Sequence, residues 1–290
     1  MQKLWDGAPV PFIFNLPWNP SMNKDVWEHA LKDLNLGPRF YYDRVGSTND
    51  VAQNKIAEGV PNWTLIVADE QDKGRGRRGR TWFTPQGAGL AFSIIFFPRP
   101  GGIQAENLNR ANGLGALSVA QALREYFSLP AEIKWPNDVL IQGRKVCGVL
   151  AESHWEGSML RDLILGVGIN IHPHPVLEKE TLNFPATSLE KASGKEWERP
   201  LVLAKVLEIM LDWVPKISSS SFLSAWENVL AFRSQDVQLI KEGKVVAEGN
   251  SLVWRRMDPW CWKRVLGTRK SFRLGRSIYV RLTDLKNKLN

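Results

Sequence analysis

The chain has 290 residues, with 38 Lys and Arg against 30 Asp and Glu, 43% hydrophobic and 23% charged positions, a composition that excludes a disordered or fibrous chain. Its longest apolar run, Leu90 to Phe97, is eight residues including Ser93, far short of the roughly 20 that a bilayer-spanning helix needs. The net charge of +8 is unevenly placed: residues 241–290 hold 13 basic against 4 acidic side chains, or +9, which leaves −1 on residues 1–240. A general polyanion-binding role would therefore rest on the last fifty residues.

Residues 1–38 read as an N-terminal extension rich in proline and tryptophan. They carry one helical pattern through Val26, Trp27, Ala30, Leu31 and Leu34, closed by Gly37 and Pro38. The start lacks the charged, apolar, small-residue order of a secretory signal, so the cytoplasm is the expected compartment. Cys147 and Cys261 are too few for a disulfide framework and read as reduced thiols. From Phe40 the pattern predicts a strand over 40–45, a helix capped by Ser47 or Thr48 and stopped at Gly59, and strands over 63–68 and 90–97. A long helix is predicted over 111–127. Strands over 133–135, 139–142, 145–152 and 160–171 follow, with Gln142-Gly143-Arg144 as a hairpin turn. Two more helices fit 196–215 and 219–231, and a β-rich segment begins near Asp236. Strands joined by hairpins, with helices to cover them, predict an α+β fold with a mixed sheet flanked by helices. The expected domains are 39–235 and 236–290.

Four clusters could carry chemistry. Gly74-Arg75-Gly76-Arg77-Arg78-Gly79-Arg80 places four arginines and three glycines in seven residues. Glycine lets backbone N–H groups approach an anion, and guanidinium groups grip carboxylate or phosphate oxygens. The same composition also suits a solvated hairpin tip or a single-stranded nucleic-acid contact. Lys134-Trp135-Pro136-Asn137-Asp138, with Lys145 across the next hairpin, suits a charged ligand, and Asp138 could hold Mg²⁺. A plain turn with surface lysines is the alternative. Ser47, Thr48 and Asn49 open a helix, with Gln71 ending a strand; helix capping accounts for the first of these without any ligand. Gly166-Val167-Gly168-Ile169-Asn170 is a glycine-spaced strand against which a flat ring could lie, or a β-bulge. His172 and His174 lack a third partner at ligand spacing and read as loop residues.

Taken in order, Ser-Thr-Asn, Gln before the arginine loop, Trp82 after it, Lys-Trp-Pro-Asn-Asp, Gly-Arg-Lys and Gly-Val-Gly-Ile-Asn resemble the biotin protein ligases over about residues 40–240. The resemblance implies a class II synthetase-like catalytic domain followed by a small C-terminal SH3-like barrel. It implies an enzyme that joins biotin to ATP, giving biotinyl-5′-AMP, and passes biotin to a lysine of the carboxyl carrier protein of acetyl-CoA carboxylase. Ser47, Thr48, Asn49 and Gln71 would bind the ureido ring. Gly74, Arg75, Gly76 and Arg77 would contact biotin and the adenylate, and Lys145 the biotin carboxylate. Arg77, Arg78, Arg80, Trp82, Lys134, Asn137, Gly168 and Asn170 would serve ATP, with Trp82 shielding adenine. Arg75, Arg77, Lys145 and Asp138 would be catalytic, Asp138 as a Mg²⁺ ligand. Some members of the family carry an N-terminal DNA-binding module, for which residues 1–38 are too short, so no DNA partner is expected. No membrane partner and no tightly bound prosthetic group is expected, and a homodimer is compatible. Lipoate or octanoate transfer shares the fold, but its Arg-Arg-x-Gly-Gly-Gly loop is absent; a basic nucleic-acid-binding module is the other alternative. The match weakens from about residue 252, where three tryptophans interrupt the expected strand. Reading Met257 to Lys263 from the third base of the Met codon gives Gly, Ser or Pro, Leu or Val or Met, Val, Leu and Glu, which admits the strand Gly-Ser-Leu-Val-Leu-Glu, so a shifted frame is one explanation and divergence the other.

Overall fold

The computed structural model describes residues 22–174 and 185–232, together with the strand segments 236–241, 244–250, 261–262, 272–273 and 278–282. Most of the N-terminal extension and most of the tail beyond 252 lie outside the described residues. The strands are β1 (Arg39–Val45), β2 (Thr64–Arg75), β3 (Thr81–Thr84), β4 (Gly89–Phe96), β5 (Ala131–Lys134), β6 (Asp138–Ile141), β7 (Arg144–Glu156) and β8 (Met159–Asn170). They form one sheet in the order β1-β2-β4-β8-β7-β6-β5, with β3 paired to β2. Only the β1–β2 pair is parallel among its neighbours, so the sheet is mixed as expected.

Period-two alternation decides what covers each face. Leu65 and Val67, Phe92 and Ile94, Leu163, Leu165 and Val167 belong to the main core with α3 (Ala111–Glu125) and α5 (Arg199–Trp213). The intervening Ile66, Ile95 and Ile164 meet Ala52 of α2 (Thr48–Ala57) on the other face. Each such aliphatic side chain, fully withdrawn from water, stabilises the fold by roughly 1.5–3 kcal/mol. Gly115 lets α3 press on β7: a Cβ there would lie 2.7 Å from Val149 Cγ1.

The extension of β2, the short β3 and a brief helix before α5 went unread in the sequence. β2 continues past Ala68 to Arg75, carrying half of the arginine loop, and the loop returns through the short β3. A brief helix α4 (Leu189–Ser193) precedes α5, whereas α1 (Lys24–Ala30) and α6 (Ser220–Asn228) fall where helices were expected. α1 is packed with the main core, since Trp27 and Leu31 are buried in it. Beyond residue 235, β9 (Asp236–Lys241), β10 (Lys244–Asn250) and β13 (Ile278–Leu282) form an antiparallel sheet in the order β10-β9-β13, and β11 (Cys261–Trp262) pairs β12 (Phe272–Arg273). No described helix is long and apolar enough to cross a membrane.

Candidate active site

The site lies on the face of the sheet that carries α2, and the strand register explains why there is room for it. Ala68 of β2 is opposite Ala91 of β4, Ala91 opposite Gly168 of β8, Gly168 opposite Gly148 of β7, and Gly148 opposite Asp138 of β6. Side chains on directly opposed residues project to the same face. Four small residues in a row thus make a shallow floor that ends at a carboxylate.

At one side of this floor is a cluster of uncharged polar side chains. Thr48 N–H and Oγ1 donate to Gln71 Oε1 at 2.9 and 3.2 Å. Ser47, Thr48, Asn49 and Gln71 are all buried. Ser47 is the N-cap residue of α2, yet its side chain makes no capping bond, which departs from the capping expectation. Asn49 donates to Glu152 Oε2 at 2.6 Å and accepts from Ser93 Oγ at 2.6 Å. Neither Ser93 nor Glu152 stood out in the sequence, although a serine inside an otherwise apolar strand was a legible signal.

The arginine loop is a hairpin rather than an open anion nest. β2 delivers Gly74 and Arg75, residues 77–79 make a 3-10 turn, and Gly76 N–H closes the loop on Arg80 O at 2.6 Å. Gly74 is required sterically, because a Cβ would fall 2.0 Å from Gln71 Nε2 and 2.2 Å from Trp82 O. Arg75 pairs with Asp50 at 2.6 Å and Glu152 at 3.2 Å. Arg77 donates to Asn137 Oδ1 at 3.3 Å, and Asn137 in turn donates to Val149 O at 2.6 Å. The side chain of Arg78 is outside the described residues.

β3 then lays the Trp82 indole across the floor. A Cβ at Gly168 would lie 2.3 Å from Trp82 Nε1, and one at Gly148 would lie 3.1 Å from Trp82 Cζ3. The flat ring expected against the glycine-spaced strand is therefore the protein's own. Gly166 serves Asn49 in the same way, with 2.3 Å from a Cβ to Asn49 Oδ1. Asn170 is buried and donates to Thr187 O at 3.1 Å.

At the far end the cations converge. Lys145 Nζ lies 2.6 Å from Asp138 Oδ1 and 5.4 Å from the Trp82 ring centroid; Lys134 Nζ lies 3.9 Å from Asp138 Oδ2. Burial pushes the Lys134 ammonium down to about 8, with Asp138 opposing and Lys145 and Arg80 adding to the fall. A local excess of positive charge in a partly buried place favours an incoming anion. Asp138, the position expected for Mg²⁺, has its carboxylate paired with the Lys145 and Lys134 ammonium groups. Cys147 is fully buried, which pushes its thiol up and away from reactivity. His172 bonds Glu190 at 2.8 Å, in keeping with a loop residue.

Known proteins are similar to this chain in sequence and in fold. The family model described as "Biotin/lipoate A/B protein ligase family" matches residues 41–170. The bifunctional ligase/repressor BirA of Bacillus subtilis (strain 168) is 36% identical over 167 residues, 58% of this chain and 50% of that protein. The biotin–acetyl-CoA-carboxylase ligase of Paracoccus denitrificans is 39% identical over 132 residues, 46% of this chain and 54% of that one. Among solved structures, the biotin protein ligase from Aquifex aeolicus in complex with biotin and ATP is 31% identical with a TM-score of 0.68, covering 85% of this chain and 99% of that chain. The chain spans about half the length of the curated relatives it matches.

Proposed function

Because the chain belongs to the biotin/lipoate A/B protein ligase family, we propose that it activates biotin with ATP to biotinyl-5′-AMP and transfers the biotinyl group to a lysine of a carrier protein. The observation that carries this reading is the shared face: an uncharged hydrogen-bonding cluster at Gln71 and Thr48 and a cationic cluster at Lys145 and Lys134 border one small-residue floor. A molecule with an uncharged polar ring at one end and a carboxylate at the other suits that layout.

Ser47, Thr48, Asn49 and Gln71 are assigned to the ureido end. Gly74, Arg75, Gly76 and Arg77 frame the acid and its adenylate. Lys145 takes the carboxylate, offsetting the repulsion between it and the ATP α-phosphate; this is electrostatic catalysis, strongest where water is excluded. Lys134, Arg78, Arg80 and Asn137 are assigned to the phosphates, and Trp82, Gly168 and Asn170 to the nucleotide. Asp138 holds Lys145 in place and is freed when the carboxylate arrives. Mg²⁺ is proposed to enter with the ATP phosphates, whose charge it would offset. In the second step the carrier lysine amine attacks the adenylate carbonyl, the amide bond forms and AMP leaves.

The acceptor is proposed to be the carboxyl carrier of acetyl-CoA carboxylase, on the printed name of the Paracoccus relative. Only the ligase role is carried over from the bifunctional relatives. The antiparallel strands beyond residue 235 are assigned to an SH3-like barrel. Pyrophosphate release with biotin, ATP and Mg²⁺ tests the reading, with lipoate as the comparison acid. Release with lipoate and not biotin would favour the lipoate branch of the same family; release with neither rejects both.

A further inference from the structure

Glu152 is bonded on two sides. Its Oε2 accepts from Asn49 Nδ2 at 2.6 Å and from Arg75 Nη2 at 3.2 Å, and its Oε1 from Arg75 Nε at 3.4 Å. Asn49 is fixed at its other amide atom, where Oδ1 accepts from Ser93 Oγ at 2.6 Å. The same Ser93 Oγ lies 2.8 Å from Thr48 Oγ1, and Thr48 bonds Gln71. A continuous path of hydrogen bonds thus runs from Gln71 within β2, through the first turn of α2 and the middle of β4, to β7 and into the arginine loop. Gly166 keeps the path open, because a side chain there would strike the Asn49 amide.

Asp50 supplies a contrast. It reaches Arg75 Nη1 at 2.6 Å from the exposed rim, so it holds the loop without orienting Asn49. Glu152 touches both, and its negative charge strengthens both contacts while its second oxygen takes a further bond from the guanidinium. In glutamine one of those oxygens becomes an NH₂ facing another donor.

We propose that Glu152 is a positioning residue for adenylate formation: it sets the Asn49 amide and the Arg75 guanidinium in one register, so that filling the ureido pocket fixes the arginine loop. This rests on the ligase reading above. It predicts that one exposed-side and one inward carboxylate, both paired with the same arginine, have different kinetic signatures.

The test compares wild type, Glu152→Gln and Asp50→Asn by pyrophosphate release and by the rate at which biotinyl-5′-AMP hydrolyses on the protein without acceptor. Glu152→Gln is expected to raise KM for biotin about tenfold, the size of one lost charge-assisted hydrogen bond, to leave KM for ATP near wild type, and to hasten adenylate loss. Asp50→Asn is expected to hasten adenylate loss while KM for biotin stays near wild type. Unchanged KM for biotin in Glu152→Gln, or both KM values raised alike, overturns the proposal. If Glu152→Gln does not fold, Ser93→Ala reports on the same path from the far side; it should give the biotin-specific rise, and an unchanged KM again overturns it. Wild type without biotin-dependent release removes the ligase reading and this inference with it, an outcome distinct from active wild type with an indifferent Glu152→Gln.

Discussion

Lys134 and Lys145 face the same carboxylate, and their different surroundings give them different tests. Burial is the largest influence on Lys134 and lowers its ionisation from the ordinary 10.5 to about 8. Between those values the unfolded chain holds a proton that the folded chain does not, so stability should rise with pH across pH 8 to 10.5. The full rise is on the order of 3 kcal/mol. Urea unfolding at several pH values checks this, and Lys134→Met should flatten the dependence. Activity should move the other way: kcat/KM for ATP reports the free protein and is expected to fall above about pH 8 as the Lys134 charge is lost. A shared rise in both quantities would remove Lys134 from the phosphate site. Lys145 is a quarter exposed and paired with Asp138, so Lys145→Ala should fold. It should lose pyrophosphate release by about 10²–10³-fold, as when one oxyanion donor is removed. Normal release by a folded Lys145→Ala refutes its assignment. Both lysines were legible in the sequence because a strand aims its side chains at fixed points. The fall in the Lys134 ionisation was not, since burial is set by packing.

Trp82 shows what an element adds to its residues. Four-residue β3 was invisible in the sequence because Thr-Trp-Phe-Thr is short and follows a glycine-rich run. The register that places Gly168 and Gly148 beneath it joins β8 and β7, and pairing register leaves little trace in local composition. The glycine spacing itself was legible, but it left a flat ring and a β-bulge equally open. Gly168→Ala should force the indole off the floor, because the new Cβ would sit 2.3 Å from Trp82 Nε1. The expected cost is about 1–3 kcal/mol. The chain has 13 tryptophans, so fluorescence would not isolate Trp82, whereas a double-mutant cycle does. With Trp82→Ala in place, Gly168→Ala should cost only a few tenths of a kcal/mol. Equal costs in the two backgrounds would mean that the clash is absorbed elsewhere.

Across the whole molecule, Arg199 ties together parts that the sequence gives no reason to associate. Its Nη1 donates to Asp69 of β2 and to Gly89 O at 3.2 Å, 130 and 110 residues away, and its guanidinium lies 5.8 Å from the Trp27 ring of α1. Asp69 also accepts from Gly87 N–H at 3.2 Å. One cation therefore links α1, β2, the β3–β4 turn and the start of α5. The class of fold was readable from alternating strands and amphipathic helices, but this junction was not, because charge pairing at such separation has no periodic signature. The Asp69 side chain is wholly buried, so removing its partner strands a charge in the interior. Arg199→Met is expected to cost about 3–5 kcal/mol, and Asp69→Asn combined with Arg199→Met should recover part of that loss by removing the stranded charge. Since β3 carries Trp82 into the site and its turn hangs on Asp69, the single variant should also raise KM for ATP at temperatures where it remains folded. Urea midpoints for the two single variants and the double give the coupling. Losses that simply add would mean that Arg199 and Asp69 act independently, and the turn would then be held by its own backbone bonds.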